Sequence, residues 1–177
     1  HALNYVRLRS RVPASEVAGR ARAWYENESS PRFLWMHLMD VHVPFFPGLR
    51  KGLDEGLVDG YRSHLRFMRA PESLTPAEYE TLERFYWRSV ERLDEQLSDV
   101  FGFLDDDALV VLTGDHGEEF DHGGFGHARP YDECIRVPLL SSRELSASLG
   151  DREVLRHLDV PASILDAVGQ PVPDGWE

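Results

Sequence analysis

Residues 109–140 read LVVLTGDHGEEFDHGGFGHARPYDECIRVPLL, a polar loop between two apolar runs. The first run, 108–113, is apolar and rich in β-branched residues, which predicts a buried strand of a parallel sheet. The second run, 135–140, predicts another buried strand. Because ligands of α/β proteins bind at the carboxyl ends of parallel strands, the loop between the two runs is the predicted functional site.

This loop is rich in groups that bind metals or transfer protons. Residues 115–127 contain two Asp, two Glu and three His, separated by glycines that allow tight turns. Adjacent Asp115 and His116 at the end of a strand offer an oxygen and a nitrogen ligand together. The pattern predicts a metal-binding or acid–base loop. The alternative is a solvated acidic loop whose histidines only cap or pack, which is the commoner case for any single residue.

The charge of the chain argues against one class of partner. Its 177 residues include 19 Lys and Arg and 31 Asp and Glu, for a net charge of −12. Phosphate contacts need a basic face, so no nucleic-acid partner is expected. Lys51 is the only lysine, and acid excess with so little lysine is typical of salt-loving archaea, where salt screens the self-repulsion. An acidic mesophilic protein from a GC-rich genome is the alternative.

Length and hydropathy predict a single α/β domain, residues 1–177, without a membrane span. The chain is 42% hydrophobic, which is enough for a sizeable core. It has no apolar run of about eighteen residues, and no signal peptide is visible at its start. The single cysteine, Cys134, excludes an intrachain disulfide and is consistent with the cytoplasm. The expected location is therefore cytoplasmic, away from membranes.

Periodicity and capping signals predict the other elements. Thr75 begins a capping box, and apolar residues at helical spacing predict a long helix over 76–104. Ser15 is the predicted N-cap of an earlier helix. The apolar segment 33–39 predicts a third strand. Residues 46–75 contain several Gly and Pro and lack clear periodicity, so they are predicted to form an irregular insertion over the site.

Several of these pieces together resemble the sulfatases, a family of the alkaline-phosphatase superfamily. The resemblance rests on DVHVPF at 40–45, TGDHGE at 113–118, GH at 126–127, YDE at 131–133 and RVPL at 136–139, in that order. It implies an alkaline-phosphatase-like fold, a three-layer α/β domain with helices on both faces of a mostly parallel sheet. The chain resembles the C-terminal part of the catalytic core.

The resemblance also implies roles for particular residues in metal-dependent hydrolysis of anionic, small-molecule sulfate esters. Asp115 and His116 match the second pair of metal ligands in that family. His42 matches a histidine that contacts sulfate oxygens, where an imidazole N–H stabilises negative charge. His127 stands where many sulfatases have a lysine, which implies a leaving-group acid or a sulfate contact. The role of His122 stays open.

The metal and the nucleophile are implied by the same resemblance. Calcium is the usual metal of sulfatases, whereas an imidazole ligand favours manganese or zinc. The family's nucleophile is formylglycine, made from Cys or Ser in a Cys/Ser-x-Pro-x-Arg motif. The sequence SSPR at 29–32 has its arginine one residue too early, and Cys134 is followed by IRV. The formylglycine motif is therefore absent, as are the two upstream metal carboxylates of the family.

These absences leave three interpretations of function open. The first is a sulfatase whose remaining site residues lie in a longer parent protein, in which case this chain alone is expected to be inactive and to bind metal weakly. The second is a phosphodiester or phosphonate ester hydrolase of the same superfamily, since an Asp-His pair also occurs there. The third is a non-catalytic module that keeps the fold and a metal or anion site.

Overall fold

The computed structural model describes the chain at residues 12–143, 145 and 154–176. The chain divides into two compact units, which are His1–Leu104 with Glu119–Gly126, and Asp105–Glu118 with His127–Glu177. In the described ranges the first unit is helical, and the second contains a short sheet together with most of the polar loop.

The first unit is built around one long helix. Its helices are α1 (Ala14–Tyr25), α2 (Leu49–Asp54), α3 (Leu57–Arg69) and α4 (Pro76–Phe101), with a 3-10 turn at Pro71–Ser73. Helices α1 and α3 both pack against α4. Leu82, Phe85 and Val100 of α4 are almost fully buried, and they form the centre of this core. Burial of such side chains is the main stabilising contribution to the unit.

Segment 46–75, predicted to be irregular, is mostly helical. Gly48 lies just before α2 with a φ of 90°, and Gly56 lies just before α3 with a φ of 83°. Glycine adopts such positive φ angles without steric cost. The glycines that predicted an irregular insertion therefore mark the starts of two short helices.

The start of α4 confirms its predicted capping box. The Thr75 hydroxyl accepts a hydrogen bond from the Glu78 backbone N–H at 3.4 Å, and the Glu78 carboxylate accepts one from the Thr75 N–H at 2.9 Å. Two backbone donors that the helix leaves unpaired are thereby satisfied. The helix ends at Phe101, close to the predicted end at residue 104.

Replacing Thr75 with alanine is expected to lower the free energy of unfolding by about 1 kcal/mol, because it removes the capping oxygen. Urea unfolding followed by circular dichroism measures the change. Thr75→Ser keeps the hydroxyl and should remain close to the wild type. Equal midpoints for the alanine variant and the wild type would contradict the capping role.

The N-terminus of helix α1 is capped by a side chain that is distant in the sequence. Its N-cap is Pro13, which offers no side-chain oxygen, and Ser15 lies inside the first turn, so the predicted Ser15 cap is wrong. The backbone N–H of Ala14 instead donates to Asp40 Oδ2 at 2.9 Å. A carboxylate near a helix N-terminus also interacts favourably with the helix dipole.

Segment 33–39 is not a strand, contrary to the sequence prediction. Its residues belong to neither helix nor strand, and the side chains of Phe33 and Trp35 are 74% and 78% exposed. An apolar run becomes a buried strand only where a neighbouring strand pairs with it. The only sheet in the described ranges has two strands, and neither pairs with this segment.

The second unit contains an antiparallel pair of strands. Strand β1 (Val111–Thr113) pairs with β2 (Leu139–Ser141), with Leu112 opposite Leu140. The predicted strands 108–113 and 135–140 are therefore present in shortened or shifted form. Their side chains are half-buried or exposed rather than fully buried.

The two strands pair antiparallel, whereas a mostly parallel sheet was predicted for the domain. Parallel neighbours need a crossover connection, usually a helix that covers a face of the sheet. The chain between β1 and β2 contains only one short helix, α5 (Asp132–Ile135), and it returns to pair antiparallel. A three-layer domain with a mostly parallel sheet is not found in the ranges that the structure describes.

One more helix, α6 (Asp159–Ala167), follows the strands in the second unit. Asp159 is almost fully buried and accepts hydrogen bonds from the Arg156 backbone N–H and guanidinium, each at 2.8 Å. The carboxylate therefore connects the chain just before α6 to its first turn and neutralises a nearby cation. Among the helices of the described ranges, none has the length and apolar character needed to cross a membrane.

Candidate functional site

Two candidate ligands follow strand β1 at the start of the polar loop. It ends at Thr113, and Asp115 and His116 follow after one glycine. Asp115 Oδ1 accepts a hydrogen bond from the His116 backbone N–H at 3.0 Å and lies 3.8 Å from His116 Nε2. Ligand atoms lie about 2.0–2.2 Å from a metal such as zinc. A small closure would allow this oxygen and this nitrogen to bind the same ion.

The tautomer of His116 follows from its neighbour. His116 Nδ1 lies 2.8 Å from the carbonyl oxygen of Gly117, which can only accept a hydrogen bond. Nδ1 therefore carries the proton and Nε2 keeps its lone pair. A metal-binding histidine commonly has this arrangement, with its other ring nitrogen donating to a carbonyl or a carboxylate.

Gly117 fixes the backbone between the candidate ligands and α5. Its N–H donates to the carbonyl oxygen of Cys134 at 2.8 Å. A Cβ atom at this position would lie 1.9 Å from the carbonyl oxygen of Glu133, so only glycine fits there. The loop is thereby held against α5 immediately after His116.

A buried carboxylate lies beside the third candidate. Glu118 Oε1 is 3.2 Å from His127 Nδ1, and the Glu118 side chain is only 4% exposed. Burial raises the pKa of Glu118 to about 7, and burial also lowers the pKa of His127. Glu118 was not a candidate from the sequence, where its only signal was its place in the Asp-His-Gly-Glu run.

The imidazoles of His116 and His127 stack on each other. Their ring centroids are 4.0 Å apart at an interplanar angle of 29°, and a pair of their ring nitrogens lies within 4.8 Å. Three of the four predicted site residues, Asp115, His116 and His127, therefore lie together in the second unit. His122 is exposed in the loop before His127.

His42, the fourth predicted residue, belongs to the first unit. Its Nδ1 lies 2.6 Å from the carbonyl oxygen of Val43, and its backbone N–H donates to the carbonyl of Met39 at 3.3 Å. Nδ1 therefore carries a proton and donates to Val43. The neutral ring keeps a lone pair at Nε2, and the protonated ring has an N–H donor there.

A buried histidine that the sequence did not reveal anchors the chain just after His42. His64 Nδ1 donates to the Gly60 carbonyl at 2.7 Å, and His64 Nε2 accepts from the Phe45 backbone N–H at 3.0 Å. Burial lowers the pKa of His64 to about 4, so the ring is neutral at physiological pH. Phe45 is itself buried against other rings of the first unit, including Tyr86. Only the fold brings these partners together.

The donor set in the second unit fits a divalent cation. Asp115 offers a carboxylate oxygen, and His116 offers Nε2 because its Nδ1 is already bonded to Gly117. Mixed oxygen and imidazole ligands suit manganese and zinc, whereas calcium prefers oxygen ligands alone. A complete site usually has three or more protein ligands, so these two residues would supply only part of one.

Comparison with known proteins agrees with the family resemblance of the sequence. A family model described as Sulfatase matches residues 10–170, which is most of the chain. No solved structure matches the chain.

Proposed function

The chain belongs to the sulfatase family, and from that premise we propose that it supplies part of the site of a metal-dependent sulfate ester hydrolase. Its substrates in this proposal are anionic small-molecule esters, and its full domain has the three-layer α/β fold of alkaline phosphatase. The observation that carries the proposal is the grouping of Asp115, His116 and His127 in the second unit, in the motif order of the family.

Asp115 and His116 have the role of metal ligands in this proposal. The carboxylate oxygen and Nε2 bind the ion, while the bond from His116 Nδ1 to the Gly117 carbonyl keeps the ring in the required tautomer. A bound divalent cation polarises a sulfate oxygen and lowers the pKa of the nucleophile. Calcium is the usual metal of the family, and the imidazole makes manganese or zinc the alternative.

His127 and His42 have the catalytic roles. His127 protonates the leaving oxygen or donates to a sulfate oxygen, through the ring nitrogen that Glu118 does not occupy. His42 donates to a sulfate oxygen from Nε2 in its protonated form, because its Nδ1 is occupied by the Val43 carbonyl. The sequence contains no formylglycine motif, so the nucleophile comes from outside these residues in this proposal.

The first test is a calorimetric titration of the chain with calcium and with manganese, beside an aryl sulfate assay. We expect no turnover and weak binding, because two ligands leave much of the ion to water. Asp115→Ala should weaken manganese binding by more than about tenfold, given that even outer-shell partners of a metal contribute that much. Asp121→Ala, which removes an exposed carboxylate from the same loop, should leave the affinity unchanged.

Two results of the titration and the assay would contradict the proposal of a partial site. Turnover of the aryl sulfate by the chain alone would show that the nucleophile is present. Tight metal binding that Asp115→Ala abolishes would show that the ligand set is complete.

A second candidate function is phosphodiester or phosphonate ester hydrolysis, which the Asp115–His116 pair also supports, because that pair occurs in both groups of the superfamily. A longer protein that contains this chain should cleave aryl sulfate faster than aryl phosphonate esters if the first proposal holds. Fast phosphonate cleavage without sulfate cleavage would replace it. Cleavage of neither ester would favour the non-catalytic module.

A further inference from the structure

We propose that Glu118 is a positioning residue for His127, which it holds in one orientation and one tautomer so that Nε2 is the nitrogen that acts on the ester. The assignment of an ester to His127 rests on the proposed function. The pairing of the two side chains does not, because it follows from their hydrogen bond, their burial and the backbone register of the loop.

The first step is the hydrogen bond between the two side chains. Glu118 Oε1 lies 3.2 Å from His127 Nδ1, at the long end of the range for an N–H···O hydrogen bond. In its ionised form the carboxylate can only accept, and Nδ1 then carries the proton. Nε2 then keeps its lone pair in the neutral ring and becomes an N–H donor when the ring is protonated.

The second step is the burial of the two partners. The Glu118 side chain is 4% exposed, whereas the His127 side chain is 31% exposed. The carboxylate is thus covered by protein and acts on a solvent-borne molecule only through the more exposed ring. Low local polarity also strengthens the hydrogen bond between the two side chains.

The third step is the backbone register that brings the pair together. Glu119 and Gly126 form an antiparallel bridge, with N–H to carbonyl distances of 2.7 and 3.2 Å. In that register the residue before Glu119 is opposite the residue after Gly126, and these two residues are Glu118 and His127. Directly opposed residues of an antiparallel pair have neighbouring side chains. The register of the bridge therefore places the Glu118 carboxylate beside the His127 ring.

The alternative is that Glu118 serves stability alone. A purely structural carboxylate would lower stability when removed, without determining which nitrogen of His127 carries the proton. A positioning carboxylate determines which nitrogen of His127 carries the proton. The tautomer of His127 therefore distinguishes the two roles.

The experiment measures the His127 tautomer in the chain by ring-nitrogen NMR, with the signal assigned from its loss in His127→Gln. We expect the wild type, measured at about pH 8 so that Glu118 is mostly ionised, to show the Nδ1–H form. Glu118→Ala should move the ring toward the Nε2–H form that free histidine favours. Glu118→Gln keeps an accepting oxygen at the same reach and should retain most of the Nδ1–H form. Asp121→Asn, which removes an exposed charge from the same loop, should change nothing.

Urea unfolding of each variant accompanies the NMR measurement, because loss of stability alone does not support the proposal. An Nε2–H ring in the wild type, or an unchanged tautomer in both Glu118 variants, would overturn it. In a longer protein with sulfatase activity, Glu118→Ala should lower kcat by about 10- to 100-fold with little change in KM. Absence of sulfatase activity beside the expected tautomers would refute the proposed function and leave the positioning role in place.

Discussion

Gly60→Ala is expected to lower the free energy of unfolding by about 2–3 kcal/mol, at the upper end of the usual cost of overpacking a core. A Cβ atom at Gly60 would lie 2.2 Å from Cζ and 2.5 Å from Cε1 of the Phe85 ring. Phe85 is 1% exposed at the centre of the core, so the ring has little room to move. Helices α3 and α4 would have to separate at this point.

The control for Gly60→Ala is the same substitution at Gly19, an exposed position of α1 with no atom within 4 Å of the added Cβ. Alanine is the better helix former there, so Gly19→Ala should raise stability by up to about 1 kcal/mol. Urea unfolding followed by circular dichroism compares the variants. A Gly60→Ala protein as stable as the wild type would contradict the close approach of α3 to α4.

The second large effect is a loss of about 3 kcal/mol of stability on acidification, from His64. Burial lowers its pKa from 6.5 to about 4, so the unfolded chain binds a proton at higher pH than the folded one. The stabilisation is therefore complete above about pH 6.5 and is lost progressively as the pH falls toward 4. The difference between the two pKa values corresponds to about 3 kcal/mol.

His64→Gln tests this pH dependence, because glutamine can accept the hydrogen bond from the Phe45 N–H and does not titrate. The free energy of unfolding is measured between pH 4 and 7.5 for both proteins. Other titrating groups cancel in the difference, which should shrink by about 3 kcal/mol from high to low pH. His122→Gln, at an exposed position, should follow the wild-type profile. A constant difference for His64→Gln would contradict the assignment.

The elements that the sequence predicted correctly depend on near neighbours. Helix α4 was predicted because Thr75 and Glu78 cap it within one turn and its apolar residues recur at helical spacing. The Ser15 cap failed because the acceptor at the start of α1 is Asp40, which is 26 residues away from Ala14. No local pattern carries that information.

The strands show the same limit. The apolar runs at 33–39, 108–113 and 135–140 predicted burial, but a run does not identify its partner or the direction of pairing. β1 and β2 pair antiparallel, and 33–39 pairs with neither of them. The direction of pairing depends on the path of the chain between the two strands. The composition of one strand does not determine that path.

The candidate site was predicted in part for the same reason. Asp115, His116 and His127 stand close in the sequence, so their grouping in the second unit could be predicted. Glu118 was missed because its partner depends on the register of the Glu119–Gly126 bridge. His64 was missed because its partners are brought together only when α3 packs against the buried Phe45.

The close approach at Gly117 limits how the site can change by mutation. Every single-base change that alters this glycine codon adds a Cβ or ends the chain, and any Cβ would lie 1.9 Å from a backbone carbonyl. Gly123 differs, because its Cβ would meet no atom within 4 Å and its φ of 64° is one that asparagine adopts. For the proposed ester hydrolase, a directed-evolution library for new specificity should therefore vary residues near 123 and leave 117 unchanged.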